Sequence, residues 1–448
     1  MTDTPRQRWL ILSHAFNMDG RAASHTITDK LPHLRAAGIE LVVLSGVSGE
    51  KDRELEHYQL WPAGPAGLRF DLRHVLRKRF GKGVVYRVLM LLASLVLVPA
   101  MVVEKLLRPL ESSWSWWLTA YLKGRALARQ QPFDLIYSTG GAYAAHVAGR
   151  ALKFATGTPW LAEVHDPLVV PGTTPRTVHQ KMQAEIERQI CTDADLAIWF
   201  TDQALASARA RHPQLGERGK MMLPGIDRPF DTLPPYRPGP TFVVGHFGSL
   251  SATRSVVPFV EALEVLQSRR PDLVAATELH IYGGAIDAPA AQKLETSPVR
   301  ERVRQFGRIE SDPVSGLSGR EQILHRMRGA DILLLLHGED PLCEEYIPSK
   351  LYEYLWMQRP ILAIVHRNPQ MAAMIRGEGH TVVETGQVAG DSAPAAVAQP
   401  LSAELEQLYD RWQRPVGLPD NEKGSPYTTQ ASSLQLLGWV SDMIESRA

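Results

Sequence analysis

The stretch EEYIPSKLYEYL, Glu344 to Leu355, sets a cation and a helix start between carboxylates. Proline is favoured in the first helical turn, where its missing N–H loses nothing, so Pro348 marks a beginning. The backbone amides of Ser349, Lys350 and Leu351 are then expected to point out of the helix end unpaired. With the helix dipole and the Lys350 ammonium they make an anion site. Glu353, on the first turn, can accept two hydroxyl hydrogen bonds, as a ribose would offer. Glu345 lies just before the phosphate cradle. A ligand with a ribose, a pyrophosphate and a second polyol satisfies this set, which describes a nucleotide sugar. Alone, the stretch favours the plainer reading of an ordinary helix start.

Two other stretches carry chemistry. In AEVHDPL, His165 and Asp166 follow the strand PWLAEV at its C-terminal end, where open α/β sheets place ligands. Asp166 is expected either to orient His165 or to meet an acceptor hydroxyl; the plainer reading is a polar turn capped by Pro167. In NMDGRAASH, Gly20 would let backbone approach a ligand, and Arg21 and His25 are weaker acceptor contacts. Cys191 and Cys343 are far apart and lack partner histidine spacing, which argues against a disulfide framework or a zinc site. Asp193-Ala194-Asp195 reads as capping and turn residues at a helix–strand junction, not as a metal site.

The elements that must position these residues alternate strand and helix. RWLILSH, IELVVLSG, FDLIYSTGG, PWLAEVHDP and DLAIWFT read as strands before a proline-rich stretch, Asp231 to Pro240. TFVVGHFGSL, ELHIYGG, VRQFGRI, ADILLLLHG and RPILAIVH continue the pattern after it. Strands alternating with helices imply parallel sheets covered on both faces. At 448 residues the chain suits two such domains rather than one core. The fold class is α/β, two doubly wound Rossmann-like domains facing across a cleft, with residues 1–235 as the first domain and 240–425 as the second. A C-terminal amphipathic helix over 428–448 is expected to cap the second. A net charge of +1 gives no global attraction to nucleic acid.

An insertion over about 69–117 breaks the rhythm. Arg69, Arg73, Arg77, Lys78, Arg79, Lys82 and Arg87 are opposed only by Asp71, and sixteen uncharged residues, Val88 to Val103, follow. The run is short for a membrane span and contains Pro99. A single span would also put strands of one sheet on opposite sides of the membrane. Basic residues before an apolar helix, with Trp114, Trp116 and Trp117 after it, fit attachment to an anionic lipid surface. The bland alternative is a long buried helix beside a solvated basic one.

Glu345 and Glu353, separated by seven residues in a stretch preceded by ADILLLLHG and followed by RPILAIVH, resemble the E-x7-E region of the retaining, family-4-like GT-B glycosyltransferases. Other pieces resemble that family in order: GHFGSLSATRS as its donor-domain glycine loop, LHIYGG as the next strand, VRQFGRI as the loop beneath the base, and LPGIDRPF as the end of the acceptor domain. The resemblance implies a GT-B architecture and sugar transfer with retention from a nucleotide-diphosphate-sugar donor. It assigns Glu353 to the ribose, Glu345 to the donor sugar hydroxyls, and backbone from Ile347 through Ser349 to Leu351 to the pyrophosphate. Gly248 and Ser249 belong to the glycine loop, Arg308 to the base loop, and Gly20 to the corresponding first-domain loop. His165 matches a histidine that contacts the donor sugar. Arg254, with Lys350, would neutralise the departing diphosphate; Ser249 stands where the commoner pattern has an arginine, one cation fewer. No cofactor and no metal are expected. The implied acceptor is a lipid-linked saccharide at the inner face of the plasma membrane, met by a cytoplasmic, peripherally attached enzyme of envelope or exopolysaccharide assembly. A nucleotide-sugar 2-epimerase of the same fold and a catalytically silent scaffold are the alternatives.

Overall fold

The computed structural model describes all residues except 1–6, 19–21, 141–142, 311, 313, 389, 414–416, 422 and 447–448. The chain forms two compact units, Met1–Asp227 with Thr429–Ala448, and Arg228–Thr428.

The first unit holds seven strands: β1 (Arg8–Leu12), β2 (Glu40–Gly46), β3 (Glu56–Leu60), β4 (Leu135–Thr139), β5 (Trp160–Val164), β6 (Leu196–Trp199) and β7 (Gly219–Met221). They pair in the order β3-β2-β1-β4-β5-β6-β7, every pair parallel. Interior strands such as β1 and β4 are buried along their whole length, which is why they read as unbroken apolar runs. Trp9, Ile11, Leu135 and Tyr137 face one core; Leu10, Leu12, Ile136 and Trp160 face another on the opposite side.

The second unit holds β8 (Phe242–Gly248), β9 (Thr277–Gly283), β10 (Val303–Gly307), β11 (Ile332–Leu336), β12 (Ile361–His366) and β13 (Thr381–Thr385), ordered β10-β9-β8-β11-β12-β13 and again all parallel. Each sheet reverses its strand order once, between β1 and β4 and between β8 and β11. Open α/β sheets bind ligands in the crevice outside the C-terminal strand ends at that reversal.

The C-terminal helix, Thr429–Glu445, differs from expectation. Leu436 and Val440 are buried against Leu31 and Leu34, so it closes a face of the first unit rather than capping the second. Asp227 accepts from the Gln430 backbone at 3.0 Å and anchors its start.

The insertion is two helices, Pro65–Phe80 and Val84–Leu107, packed against one another, with Arg69 donating to the Ser94 hydroxyl at 3.0 Å. The second runs 24 residues, straight through Pro99, and Met90 is its one buried residue. It is long and apolar enough to cross a membrane by length and composition. Its Val96 is 75% and its Leu106 79% exposed, so the reading of a buried core helix is excluded. Glu104 ties the insertion's base, accepting from the Ala66 backbone and the Trp114 indole, both at 2.7 Å. Trp116, expected at a lipid interface, is instead fully buried in the first unit's core and donates to the Ser45 carbonyl at 3.2 Å. A large indole beside the buried face of β2 gains more from core burial than from an interface.

Candidate functional site

In the second unit, the loops after β8 and β11 flank the strand-order reversal. The β8 loop leaves through Gly248 and exposed Ser249, then turns back on itself by reciprocal backbone hydrogen bonds between Ser251 and Arg254 (3.1 and 2.9 Å). Gly283 must lack a side chain because a Cβ there would stand 2.1 Å from the Gly248 carbonyl oxygen. The β11 loop forms a short 3-10 helix, Pro341–Glu345, and then the helix Lys350–Trp356. Thr253 ties the two loops by donating to Asp340 at 2.5 Å.

These loops collect the expected charges. Arg254 donates to the Tyr346 hydroxyl, and its Nε is enclosed with no hydrogen-bond partner among the described residues. Lys350 bonds Glu353 at 2.5 Å; Glu353 is otherwise buried and lies 4.0 Å from Arg320. The cation expected to meet the anion and the carboxylate expected to meet the hydroxyls are therefore partners of one another in this structure. Glu345 is almost wholly buried, and Ile347 and Ser349 are half-buried beside it. The expected trio of open amides is reduced: the Leu351 N–H donates to the Pro348 carbonyl at 3.0 Å, because the helix starts with a tight three-residue turn.

Beneath the loops, burial pushes His246 and His337 down to about 4, so both imidazoles are neutral near pH 7. Arg254 and Lys350 both act on His246 in the same direction. The Tyr354 hydroxyl accepts from the Phe247 backbone at 3.0 Å and fixes the helix against β8. Toward β10 the rings of Phe247, Tyr282 and Phe306 stack in succession, with centroids 4.7 Å apart in both steps. Phe306 is 49% exposed, and Arg308 beyond it is exposed.

In the first unit, His165 sits just past β5 and stacks on Phe200, centroids 4.8 Å apart. Its partners are Glu163 (3.0 Å) and the Thr139 hydroxyl (2.9 Å). Asp166 is exposed, so the expected orienting role falls to Glu163 instead. Glu163 is also bonded by Lys30, by the Tyr137 hydroxyl at 2.8 Å and by the Thr139 hydroxyl at 2.7 Å. Burial alone would raise its carboxyl, but Lys30 and His165 overcome that and hold it far below the ordinary range. Sequence reasoning missed Lys30 and Glu163, although a carboxylate inside the apolar strand WLAEV was a usable signal: a buried charge needs a partner. Gly20 and Arg21 lie outside the described residues.

Among the described residues no cluster of histidine, cysteine, aspartate and glutamate could hold a metal ion. Asp193 pairs with Arg150 at 2.5 Å, and Asp195 pairs with Lys153 at 2.8 Å and accepts from the Trp160 backbone, so both serve the first unit's architecture.

No protein-family model and no curated protein sequence matches this chain. Solved structures do resemble it at low identity. Sucrose-phosphate synthase from Thermosynechococcus elongatus is 14% identical, with 99% of this chain and 100% of that one covered and a TM-score of 0.57. A point mutant of S. aureus TarM, in complex with fondaparinux, α-GlcNAc-glycerol and UDP, is 9% identical, with coverage of 97% and 99% and a TM-score of 0.54. A UDP-N-acetylglucosamine 2-epimerase assignment from Listeria monocytogenes is 11% identical, with coverage of 98% and 97% and a TM-score of 0.50. Two parallel sheets of seven and six strands, matched over nearly the whole chain by these structures, give this chain the GT-B fold of the glycosyltransferases.

Proposed function

We propose that this chain is a glycosyltransferase that moves a sugar from a nucleotide-diphosphate-sugar donor to a saccharide acceptor, with retention of configuration. The observation that carries the reading is the gathering of Arg254, Glu345, Lys350 and Glu353 on the two loops that flank the second sheet's strand-order reversal. A diphosphate arriving there would draw Lys350 from Glu353, freeing that carboxylate for the ribose hydroxyls. Arg254, Lys350 and the helix start would then stabilise charge on the departing diphosphate, a role for which fixed donors serve well. The exposed face of Phe306 offers the base a ring to stack on. His165, held by Glu163 and Thr139, would meet the donor sugar. This set supplies positive charge without a metal or a cofactor. The UDP named with TarM and the phosphate-sugar synthase activity of another structure of this fold support a nucleotide-sugar donor.

The acceptor on this reading is a lipid-linked saccharide of envelope or exopolysaccharide assembly, and the enzyme is cytoplasmic and peripheral on the inner face of the plasma membrane. Its support is the exposed apolar helix Val84–Leu107, lying beside exposed Arg73, Arg77, Lys78, Arg79 and Lys82. Asp71, the one acid of that basic stretch, is buried and does not offset the surface charge.

The second reading is a nucleotide-sugar 2-epimerase, which the Listeria structure favours. A silent scaffold is the third. A thermal-shift screen with UDP, GDP and ADP sugars tests the donor site. A bound donor at a hundred times its dissociation constant should add about 2.7 kcal/mol of stability. Glu353→Gln should cost roughly 1–3 kcal/mol of donor affinity by removing charge-assisted hydrogen bonds. A variant that binds donor as tightly as the parent makes Glu353 a structural residue.

A further inference from the structure

The insertion is laid along the first unit rather than held out from it. At its base the Gly64 N–H donates to the Ser115 hydroxyl at 2.8 Å and the Ala66 N–H to Glu104 at 2.7 Å. Midway along the basic helix, Asp71 is wholly enclosed and places Oδ2 3.4 Å from Nε2 of His14, which follows β1. Near its far end Lys78 pairs with Glu50, in the loop after β2. Contacts at the base, the middle and the tip thus seat this helix lengthwise on the loops that follow β1 and β2.

The apolar helix packs on the basic one and shares its direction of lie. Tyr86, Met90, Ser94, Leu97 and Met101 recur at helical spacing on its covered face, where Arg69 meets Ser94. Val84, Val88, Leu91, Leu95, Val102 and Leu106 form the opposite face, and all are exposed. Exposure does not fade along the helix, from 74% at Val84 to 79% at Leu106. Exposed cations bound the uncharged run at both ends, Lys82 and Arg87 before it and Arg108 after it.

This arrangement decides how a lipid surface is met. Entering end-on, the helix would carry Lys82 and Arg87 into hydrocarbon, where charge is costly, and would draw Lys78 from Glu50 and Asp71 from His14. Lying in the plane, it keeps its apolar face in the acyl chains while the cations at both ends snorkel to the phosphates. A second copy of the chain suits the face poorly. Two-fold pairing sets a surface against itself, so cationic ends would meet cationic ends. Anionic headgroups answer those charges instead.

We infer that the insertion is an in-plane anchor for an anionic phospholipid surface: Val84–Leu107 lies lengthwise in one leaflet, and Lys82, Arg87 and Arg108 hold headgroup phosphates at its two ends. The inference rests on the peripheral-membrane reading and adds to it how the helix lies and at what depth. The basic helix then rides at headgroup level, with Arg73 and Arg79 exposed there. Because that helix sits on the loops after β1 and β2, the leaflet runs beside the edge where an open sheet takes ligands. A lipid-linked acceptor reaches that edge with its tail still in the leaflet.

The test uses the full chain with one surface cysteine at a time, Val85→Cys, Leu95→Cys or Leu106→Cys, each labelled with nitrobenzoxadiazole. The native Cys191 and Cys343 are buried and escape the label. Vesicles of phosphatidylcholine and phosphatidylglycerol, brominated at a shallow or a deep acyl position, report depth. In protein floated with these vesicles, all three labels should brighten and be quenched to the same extent, more by shallow bromines than by deep ones. A graded series, with the Val85→Cys label deepest and the Leu106→Cys label in water, would mean end-on insertion. A Leu95→Cys label deepest between two shallow ends would mean a span. Either profile overturns the inference, while flotation leaves the membrane reading standing. Labels that no bromine quenches, in protein that floats, overturn it as well, because another surface then holds the vesicle. Labels already bright without lipid, in a species of twice the monomer mass, would assign the face to a second copy. Failure to float at low salt counts against the membrane reading itself, and the inference falls with it.

Discussion

The C-terminal edges of the two sheets hold charge in opposite ways. In the first unit, Lys30 and Glu163 are both fully enclosed, and Glu163's other hydrogen-bond partners among the described residues are the Tyr137 and Thr139 hydroxyls and His165. In the second, Lys350 is half-exposed, Glu353 is its partner in a pair open on one side, and Arg254 spends one bond on a tyrosine hydroxyl. A sealed pair cannot exchange its partner without leaving a bare ion in low dielectric. A half-open pair can, because solvent or an incoming phosphate replaces what is lost. On the proposed reading, the first edge holds a histidine still and the second receives an anion. The insertion's basic helix extends the series, with cations exposed to whatever lies outside.

Breaking the sealed pair should have the largest effect. Glu163→Gln leaves the Lys30 ammonium enclosed without its counter-charge, and the variant should lose about 3–5 kcal/mol of stability in urea unfolding. A loss below about 1 kcal/mol would mean that the first edge is more open than its burial indicates, and the contrast would fail.

Arg254→Ala addresses the half-open edge. Charge on the diphosphate is greatest after the bond to the sugar breaks, so the loss should fall on turnover, by roughly 10²–10³-fold, more than on donor affinity. Steady-state kinetics beside donor titration separates the two. An unchanged kcat would shift leaving-group stabilisation to Lys350 and the helix start.

The exposed cations should matter least individually. Each Lys or Arg near an anionic surface contributes about 1 kcal/mol, screened over a Debye length. Replacing Arg77, Lys78 and Arg79 by Gln should lower flotation with anionic vesicles and spare neutral ones. High salt should loosen the parent only partly, since the apolar helix remains. Protein that stays in the soluble fraction at low salt would leave the lipid-linked acceptor without support.

The same contrast explains what could be read from the sequence. Interior strands such as β4 and β11, buried on both faces, stand out as apolar runs. Edge strands do not: β3 is EHYQL, with Glu56 exposed, and β7 is three residues long. Most of the second edge was legible because Glu345, Lys350 and Glu353 lie within nine consecutive positions, on one loop and one helix. The first edge was not, because Lys30, Tyr137, Thr139 and Glu163 come from separated segments that only the folded unit brings together. Asp71 was visible only as a lone acid among cations, and its direction depends on how the basic helix packs. The C-terminal helix was recognisable by its period, but an amphipathic pattern does not specify which core it covers.

The central claim, sugar transfer from a nucleotide sugar, is tested most directly by incubating the purified protein with the donor that stabilises it and identifying the products. The account predicts slow release of nucleoside diphosphate with free sugar in the absence of acceptor, and a sharp fall in that release in Arg254→Ala. An epimerised sugar in the products, or an intact donor after prolonged incubation at saturating concentration, would contradict it.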